Sequence, residues 1–397
     1  MLTGKKILLG ITGGIAAYKT ANLASMLAKL HAEVHVIMTR NAQQFISPVV
    51  FEALTGNKVI DDVFDRDSGY HVAHIAMAQE ADVVMIAPAS ANIIAKLANG
   101  IADDMLSTTM LAVTAPVMIV PAMNTKMYEH PATQANLEKL RAYGYRVIDP
   151  ASGYLACGDT GKGKMPGEEE LLEHLLLEAA CDKDLSGKKV LITAGPTMEP
   201  IDPVRFITNH STGKMGWALA KNAARRGAQV VLVSGPVHLP APVSVKMIPV
   251  TTAQEMYEAV DAQFDNQDIV VMSAAVADYR PKHTESEKIK KQDAAAMLEL
   301  ERTKDILGSM SKRKNGQFLC GFSMETEHML ENSRAKLEKK NLDMIVANNL
   351  RMEGAGFGTD TNIITIITKD AANELPIMSK DEAAHAIFDQ IKNFVCN

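Results

Sequence analysis

The segment YLACGDTGKGKM, residues 154 to 165, sets one cysteine among glycines, an aspartate and two lysines. Gly158, Gly161 and Gly163, with Gly153 just before, free the backbone, while Asp159, Lys162 and Lys164 supply charge. Cys157 in such a loop can ligate a metal, attack an electrophile, donate a proton, or simply pack as a small apolar residue. His74, in GYHVAHIAMAQ over 69–79, has the side chain best suited to moving protons near neutral pH. His71 stands one helical turn before it, but no third ligand accompanies the pair, so a metal centre is not expected. Asn124, in PAMNTKMY over 121–128, offers a donor and an acceptor to a carboxylate; asparagine is also a common turn residue after a proline. EKIKK gives Lys288, Lys290 and Lys291, and RAKLEKK gives Lys336, Lys339 and Lys340. Singly, each lysine reads as a solvated surface charge. Lys336 and Lys340, four apart, share a helix face, and clustering at strand ends suits them to phosphates.

Two glycine-bearing loops stand where phosphates bind. GITGGIAAYK places Gly10, Thr12, Gly13 and Gly14 between a strand and a helix, where backbone N–H groups and the helix N-terminus favour an anion. The spacing is not GxGxxG, and VHVIMTR ends in Thr39 rather than an acidic residue. The dinucleotide fingerprint therefore fails, and a mononucleotide such as FMN fits better than NAD. A tight turn that needs glycine for packing accounts for the same residues. STGKMG, over 211–216, lacks the Walker pattern: Thr208 stands where the first glycine belongs, and Met215 follows Lys214. It still precedes a helix, WALAKNAARRG, so anion contact there stays open.

These residues need a scaffold, and the pattern supplies it twice. KILLGI (6–11), EVHVIM (33–38), DVVMIA (82–87), PVMIVP (116–121) and YRVIDP (145–150) read as buried strands alternating with helical segments. That alternation predicts a parallel sheet covered on both faces, with ligands at the carboxyl ends of its strands. EAACDKDLSGKK breaks the pattern near residue 185, and GKKVLITAGPT then echoes the opening GKKILLGITGG. Strands at 228–235, 268–276, 318–323, 343–349 and 362–368 follow, and KDEAAHAIFDQIKNFV closes the chain as a helix. With 397 residues, two domains are expected, at 1–180 and 189–397 around a linker at 181–188. Residues are 47% hydrophobic and 22% charged, with a net charge of −6. That balance argues against a nucleic-acid binder held by bulk positive charge. No apolar run approaches a membrane span and no signal-peptide layout opens the chain. Cysteines at 157, 181, 320 and 396 form neither CxxC nor a disulfide framework. A cytoplasmic protein without structural zinc is the expectation.

PAMNTKMY resembles the PxMNxxMW substrate motif of flavin-dependent cysteine decarboxylases, and ACGDTGKGKM resembles their cysteine-bearing substrate flap. TAGPTMEPIDPVRFITNHSTGKMG, with AAVADYRP and EKIKK, is similar to phosphopantothenate–cysteine ligase. Their order in one chain resembles the bifunctional family of coenzyme A biosynthesis. There, phosphopantothenoylcysteine decarboxylase is fused to phosphopantothenate–cysteine ligase. The resemblance spans nearly the whole chain and implies two Rossmann-like three-layer α/β domains, a flavodoxin-like flavin-binding domain followed by a nucleotide-binding ligase domain.

The resemblance also assigns roles. FMN goes to Thr12, Gly13, Gly14 and Thr39, and to APASAN (87–92) with Ser90, together with Ser107. His74 and Asn124 become active-site residues, with Asn124 on the substrate carboxylate, Met123 and Met127 lining the pocket, and Cys157 the proton donor. Decarboxylating a cysteine-derived carboxylate needs an electron sink, which a flavin supplies by oxidising the thiol to a thioaldehyde and later returning the hydride. In the ligase half, CTP with Mg²⁺ activates phosphopantothenate as an acyl-cytidylate for attack by cysteine. Met272, Ser273, Ala274 and Asp278 contact the nucleotide, as do Thr303, Lys304, Asp305 and Ile306, and Phe322 packs near the base. Lys336 and Lys340 bind phosphates, Lys288 acts in acyl-nucleotide formation, and Asn209 serves the second step. Three departures stand out: GKGKM where the motif has GxGRM, so that Lys164 lacks the planar fork of arginine; Tyr128 for Trp; and TKDI for NPDI. A homo-oligomer, a dodecamer of decarboxylase trimers joined through ligase dimers, is implied by resemblance alone. Two other classes compete. A nicotinamide-dependent oxidoreductase is disfavoured by the missing fingerprint, and a flavin-binding regulatory subunit by the presence of both His74 and Cys157.

Overall fold

The computed structural model describes residues 1–64, 72–154, 158–290, 297–325, 329–349 and 358–395. Cys157, His71 and Lys291 lie outside them. The chain forms two compact units, Met1–Cys181 and Asp182–Asn397.

In the first unit, β1 (Lys6–Ile11), β2 (Glu33–Met38), β3 (Val83–Ala89), β4 (Val117–Pro121) and β5 (Arg146–Val147) form one parallel sheet, ordered β2-β1-β3-β4-β5. Successive side chains serve opposite faces. Ile7, Leu9 and Ile11 join a core with α1 (Ala17–Lys29), α2 (Pro48–Thr55) and α8 (Glu168–Ala179). Leu8, Val84 and Ile86 join the opposite core with α3 (Ala73–Glu80), α4 (Ala91–Asn99), α5 (Met105–Ala112) and α7 (Pro131–Ala142). Burial on both faces is why these strands read as unbroken apolar runs. Gly10 lets α5 lie close, since a Cβ there would fall 2.7 Å from Leu106 Cδ1. The strand expected over 145–150 is only two residues long. Ile148 still donates its N–H to Ile119, but Pro150 has none to give. The segment expected as a loop around Cys157 is flanked by an antiparallel hairpin, β6 (Ala151–Tyr154) and β7 (Thr160–Lys164). The short helix α6 (Thr125–Glu129) packs on β7.

The second unit holds an eight-stranded sheet. Its parallel part comprises β8 (Lys189–Ala194), β11 (Gln229–Ser234), β12 (Val245–Pro249), β13 (Ile269–Met272), β16 (Phe318–Glu325) and β17 (Met344–Asn349). Two hairpins stand apart from it: β9 (Met198–Pro200) with β10 (Phe206–Thr208), and β14 (Tyr279–Pro281) with β15 (Leu300–Arg302). The order is β12-β11-β8-β13-β16-β17-β19-β20, with β18 (Thr361–Asn362) outside it. β19 (Ile364–Thr368) and β20 (Ala372–Glu374) run antiparallel to their neighbours; between these two strands the connection over 369–371 is too short for a crossover. One face is covered by α10 (Ala253–Phe264), α11 (Ile306–Lys312) and α12 (Met329–Lys339). On the other, α9 (Lys214–Arg225) packs with α13 (Lys380–Val395). Gly216 brings α9 onto β8, since a Cβ there would fall 2.4 Å from Ala194 Cβ.

A buried ion network ties the start of this unit to its last helix. Arg226, 2% exposed, donates from Nε and Nη2 to both oxygens of Asp184 at 2.8 and 2.6 Å, and from Nη1 to Asp389 at 2.8 Å. Arg226 holds the Asp184 carboxyl well below its ordinary value of 3.8, at about 2; burial opposes this and Lys392 assists it. Between those values the unfolded chain binds the proton and the folded one does not, so this contribution is complete above about pH 5 and is lost as pH drops toward 2. About 2 kcal/mol rides on that window. Trp217, the only tryptophan, is in α9 and reports this unit alone. Urea titrations by its fluorescence should show wild-type stability declining steeply from pH 4.5 to about pH 2.5, and an Asp184→Asn chain declining less. Equal slopes would refute the assignment.

Candidate functional site

The carboxyl ends of the first sheet open into a cleft of about 640 Å³, within the range of small-molecule sites. Gly13, Gly14, Ser90, Met123, Asn124, Met127, Gly163 and Lys164 line it, together with Ile15, Tyr18, Lys19, Tyr154 and Met165, to which the sequence assigned no role. Thr12 stands behind this wall, buried, its hydroxyl donating to the Pro88 carbonyl at 2.7 Å and accepting the Ser90 N–H at 2.9 Å. The loops after β1 and β3 are thereby stitched together. Ser90 in turn caps α4 through the Ile93 N–H, leaving a helix N-terminus at the cleft edge. A Cβ on Gly13 would fall 2.7 Å from Asn41 Cβ, so only glycine lets that turn form. Thr39 and Ser107 do not line the cleft. Ser107 is fully buried and held in a reciprocal capping box with Asp104 at the start of α5. The polar turn on one side and the apolar wall on the other suit a phosphate-bearing, flat aromatic ligand, so the residues present fit a flavin nucleotide.

Asn124 caps α6, its Oδ1 accepting the Lys126 N–H at 2.9 Å, and its Nδ2 donates to Asp159 Oδ2 at 3.0 Å. His74 is not brought to this cleft. It lies in the first turn of α3, which packs on α5, and its buried Nδ1 has no hydrogen-bond partner. The nature of the other thiols bears on Cys157: Cys320 is fully buried, and burial pushes its pKa far above the ordinary thiol value.

In the second unit a cleft of about 480 Å³ opens where β8, β13 and β16 end. Met272, Ala274, Asp278, Thr303, Lys304, Asp305, Ile306, Phe322, Lys336 and Lys340 line it, along with Tyr279 and Arg302. Ser273 lines a smaller adjoining cleft of about 140 Å³ with the Ser211–Gly216 loop, and Lys288 lines neither. Thr193 fixes the wall, accepting the Ala274 N–H at 3.1 Å while its carbonyl takes the Ser273 hydroxyl at 2.6 Å. Thr303, a departure from the family pattern, donates its N–H to Asp278 at 3.0 Å and its hydroxyl to Ala277 at 2.6 Å. Lys304 sits 4.5 Å over the Tyr257 ring, a cation–π contact. Lys336 donates to the Phe322 carbonyl at 3.0 Å, and Lys340 pairs with Asp305 at 2.8 Å. Burial works against the Asp305 carboxylate, but Lys340, the Gly308 N–H and Lys336 together hold its pKa below the ordinary value. Asn209 donates from Nδ2 to the Ala275 carbonyl at 2.8 Å, and its buried Oδ1 has no partner. Among the described residues, no group of three or more His, Cys, Asp or Glu could hold a metal ion, and no helix is long and apolar enough to cross a membrane.

A doubly wound unit with a cleft of flavin size is followed by a second α/β unit whose cleft is lined by Lys304, Lys336 and Lys340. Comparison with known proteins supplies the class. The family model described as Flavoprotein matches residues 1–178, and that described as DNA/pantothenate metabolism flavoprotein C-terminal domain matches 185–395. The coenzyme A biosynthesis bifunctional protein CoaBC of Bacillus subtilis (strain 168) is 50% identical over 397 residues, covering 98% of this chain and 97% of that one. Its counterpart in Escherichia coli (strain K12) is 43% identical over 394 residues, covering 98% and 97%. The crystal structure of the C-terminal domain of a coenzyme A biosynthesis bifunctional protein CoaBC covers 54% of this chain and 98% of that one, at 45% identity and a TM-score of 0.47. The chain belongs to the family of coenzyme A biosynthesis bifunctional proteins. It is an enzyme with two activities, a carboxy-lyase and a carbon–nitrogen ligase.

Proposed function

We propose that the chain joins phosphopantothenate to cysteine at the expense of CTP and then decarboxylates the product to phosphopantetheine, working in the cytoplasm as a homo-oligomer. The observation that carries the ligase reading is convergence. Apart from Ser273 and Lys288, every nucleotide residue named from the sequence lines one cleft. There the phosphopantothenate carboxylate attacks the α-phosphorus of CTP, expelling pyrophosphate and forming the acyl-cytidylate. Lys336 and Lys340 hold the nucleotide, and Lys340 must exchange Asp305 for it. Lys288 and a Mg²⁺ carried by the triphosphate offset the charge that develops. The cysteine amine then displaces CMP, and Asn209, whose Oδ1 is an open acceptor, orients it.

In the first unit, Gly13, Gly14 and Ser90 hold FMN, with Thr12, Thr39 and Ser107 bracing the loops around it. The bound flavin supplies a two-electron acceptor and donor for the substrate's thiol carbon. Asn124 holds the substrate carboxylate, Met123 and Met127 pack on the substrate, and Lys164 meets its phosphate. Cys157 donates a proton to the enethiol carbon left by decarboxylation. His74 moves a proton in the same reaction, although it lines no part of this cleft.

Incubation of the protein with phosphopantothenate, cysteine, CTP and Mg²⁺, followed by mass spectrometry, tests the whole. Phosphopantetheine with CMP and pyrophosphate is expected. Accumulated phosphopantothenoylcysteine would isolate a fault in the flavin unit, with Lys164 the first suspect. A yellow, folded protein that makes neither would refute the reading.

A further inference from the structure

Asn124 is held at both ends of its side chain. With Oδ1 taking the Lys126 N–H, the carboxamide cannot usefully flip, so Nδ2 is the end left for an anion. The anion on it is Asp159, at 3.0 Å. The hairpin carrying Asp159 is seated closely on the same segment. Met123 donates its N–H to the Gly163 carbonyl at 3.0 Å, and a Cβ on Gly163 would fall 2.1 Å from the Met123 carbonyl oxygen. Gly163 has φ +142°, and a Cβ on Gly161 would fall 2.6 Å from Thr125 Oγ1. These glycines fix the register that sets an exposed carboxylate on Asn124.

We propose that Asp159 is a positioning residue of the decarboxylase whose carboxylate occupies the Asn124 amide until the substrate's carboxylate displaces it. The inference rests on the reading of Asn124 as the carboxylate-binding group. The Asn124 nitrogen has two N–H donors, but two carboxylates drawn to it repel each other, so a carboxylate ligand is opposed by Asp159 and drives it off, whereas a neutral one is not. Once carbon dioxide has left, the product carries no carboxylate at that position, and Asp159 returns to Asn124. The exchange thereby weakens substrate binding, whereas the product leaves Asp159 where it stands.

The test uses the full-length, flavin-loaded chain with Asp159→Asn, which keeps the shape, and Asp159→Ala, which removes the group. KM and kcat are measured for decarboxylation of phosphopantothenoylcysteine, with the inhibition constant of phosphopantetheine alongside. Both variants should lower KM about three- to tenfold, the scale of one solvated charge-assisted contact. Neither should tighten phosphopantetheine, and kcat should change little, because Asp159 is already off Asn124 in the substrate complex and the Met123–Gly163 hydrogen bond still seats the hairpin. An unchanged or raised KM, or an equal gain for phosphopantetheine, would overturn the proposal. Failure of the underlying reading looks different: Asn124→Ala would then leave the wild-type KM unmoved.

Discussion

A Cys157→Ser chain is expected to release about one carbon dioxide per site and to form almost no phosphopantetheine, a loss of about 10²- to 10⁴-fold in turnover. In the proposed mechanism, decarboxylation itself does not need the thiol. Completing the reaction does, because the enethiol carbon must gain a proton as the hydride returns. A thiol with an ordinary pKa of about 8.5 can give that proton near neutral pH; a serine hydroxyl, a far weaker acid, cannot. Tyr154, Gly163 and Lys164, from the two strands of the hairpin that brackets Cys157 in sequence, line the flavin-sized cleft. Cys320 offers no substitute, since it is fully buried and burial raises its pKa, making it a poor acid. Single-turnover assays that count carbon dioxide and phosphopantetheine separately decide the matter. Full turnover would end the proton-donor assignment, and loss of carbon dioxide release as well would move the thiol to an earlier step. Pyrophosphate release by the ligase unit should be unaffected.

The strands were legible because parallel strands buried on both faces must be apolar at every position, and that leaves unbroken runs such as VVMIAPA. Hairpins were not. β6 and β7 are built from Ala, Ser, Gly, Tyr, Thr and Lys with little burial, so no periodicity marks them; Gly161 and Gly163 seat β7 closely on residues 123–125. The antiparallel turn of β19 into β20 was equally silent, since Ile and Thr pair in either direction. Motif residues located both clefts, yet spacing cannot say which side chain points inward. Ser107 has the right type but spends its hydroxyl capping α5, and His74 lies on a helix turned toward α5. Tyr18 and Met165 line the flavin-sized cleft without any motif to announce them. Asp159 was visible as a charge in a flexible run, and the structure sets its carboxylate on the fixed Asn124 carboxamide.

Lys288→Gln should cut pyrophosphate release about 10²- to 10³-fold, the scale of removing one preorganised donor from a developing charge. The flavin spectrum and the decarboxylation of supplied phosphopantothenoylcysteine should not change. Lys288 is exposed and lines no cleft, so its effect depends on how its loop is held. The anchor is the next residue. Ile289 donates its N–H to Asp202 at 3.2 Å, and Arg205 donates from Nη2 to the Ile289 carbonyl at 2.9 Å. Asp202 also accepts the N–H groups of Val204 and Arg205, and the Arg205 guanidinium holds its carboxyl well below the ordinary carboxylate range. Upstream, Glu285 and Thr284 donate to the carbonyls of Ile201 and Pro200. A lysine on a loop pinned at both ends keeps its charge over one region, where a free surface lysine would wander at the cost of its electrostatic effect. Lys290→Gln is the control, because it removes a neighbouring positive charge from the same segment and should change the rate less than about threefold. If both substitutions cost the same, net charge on the segment matters and Lys288 has no individual role. A Lys288→Gln chain that loses flavin yet ligates normally would break the division of labour between the two units.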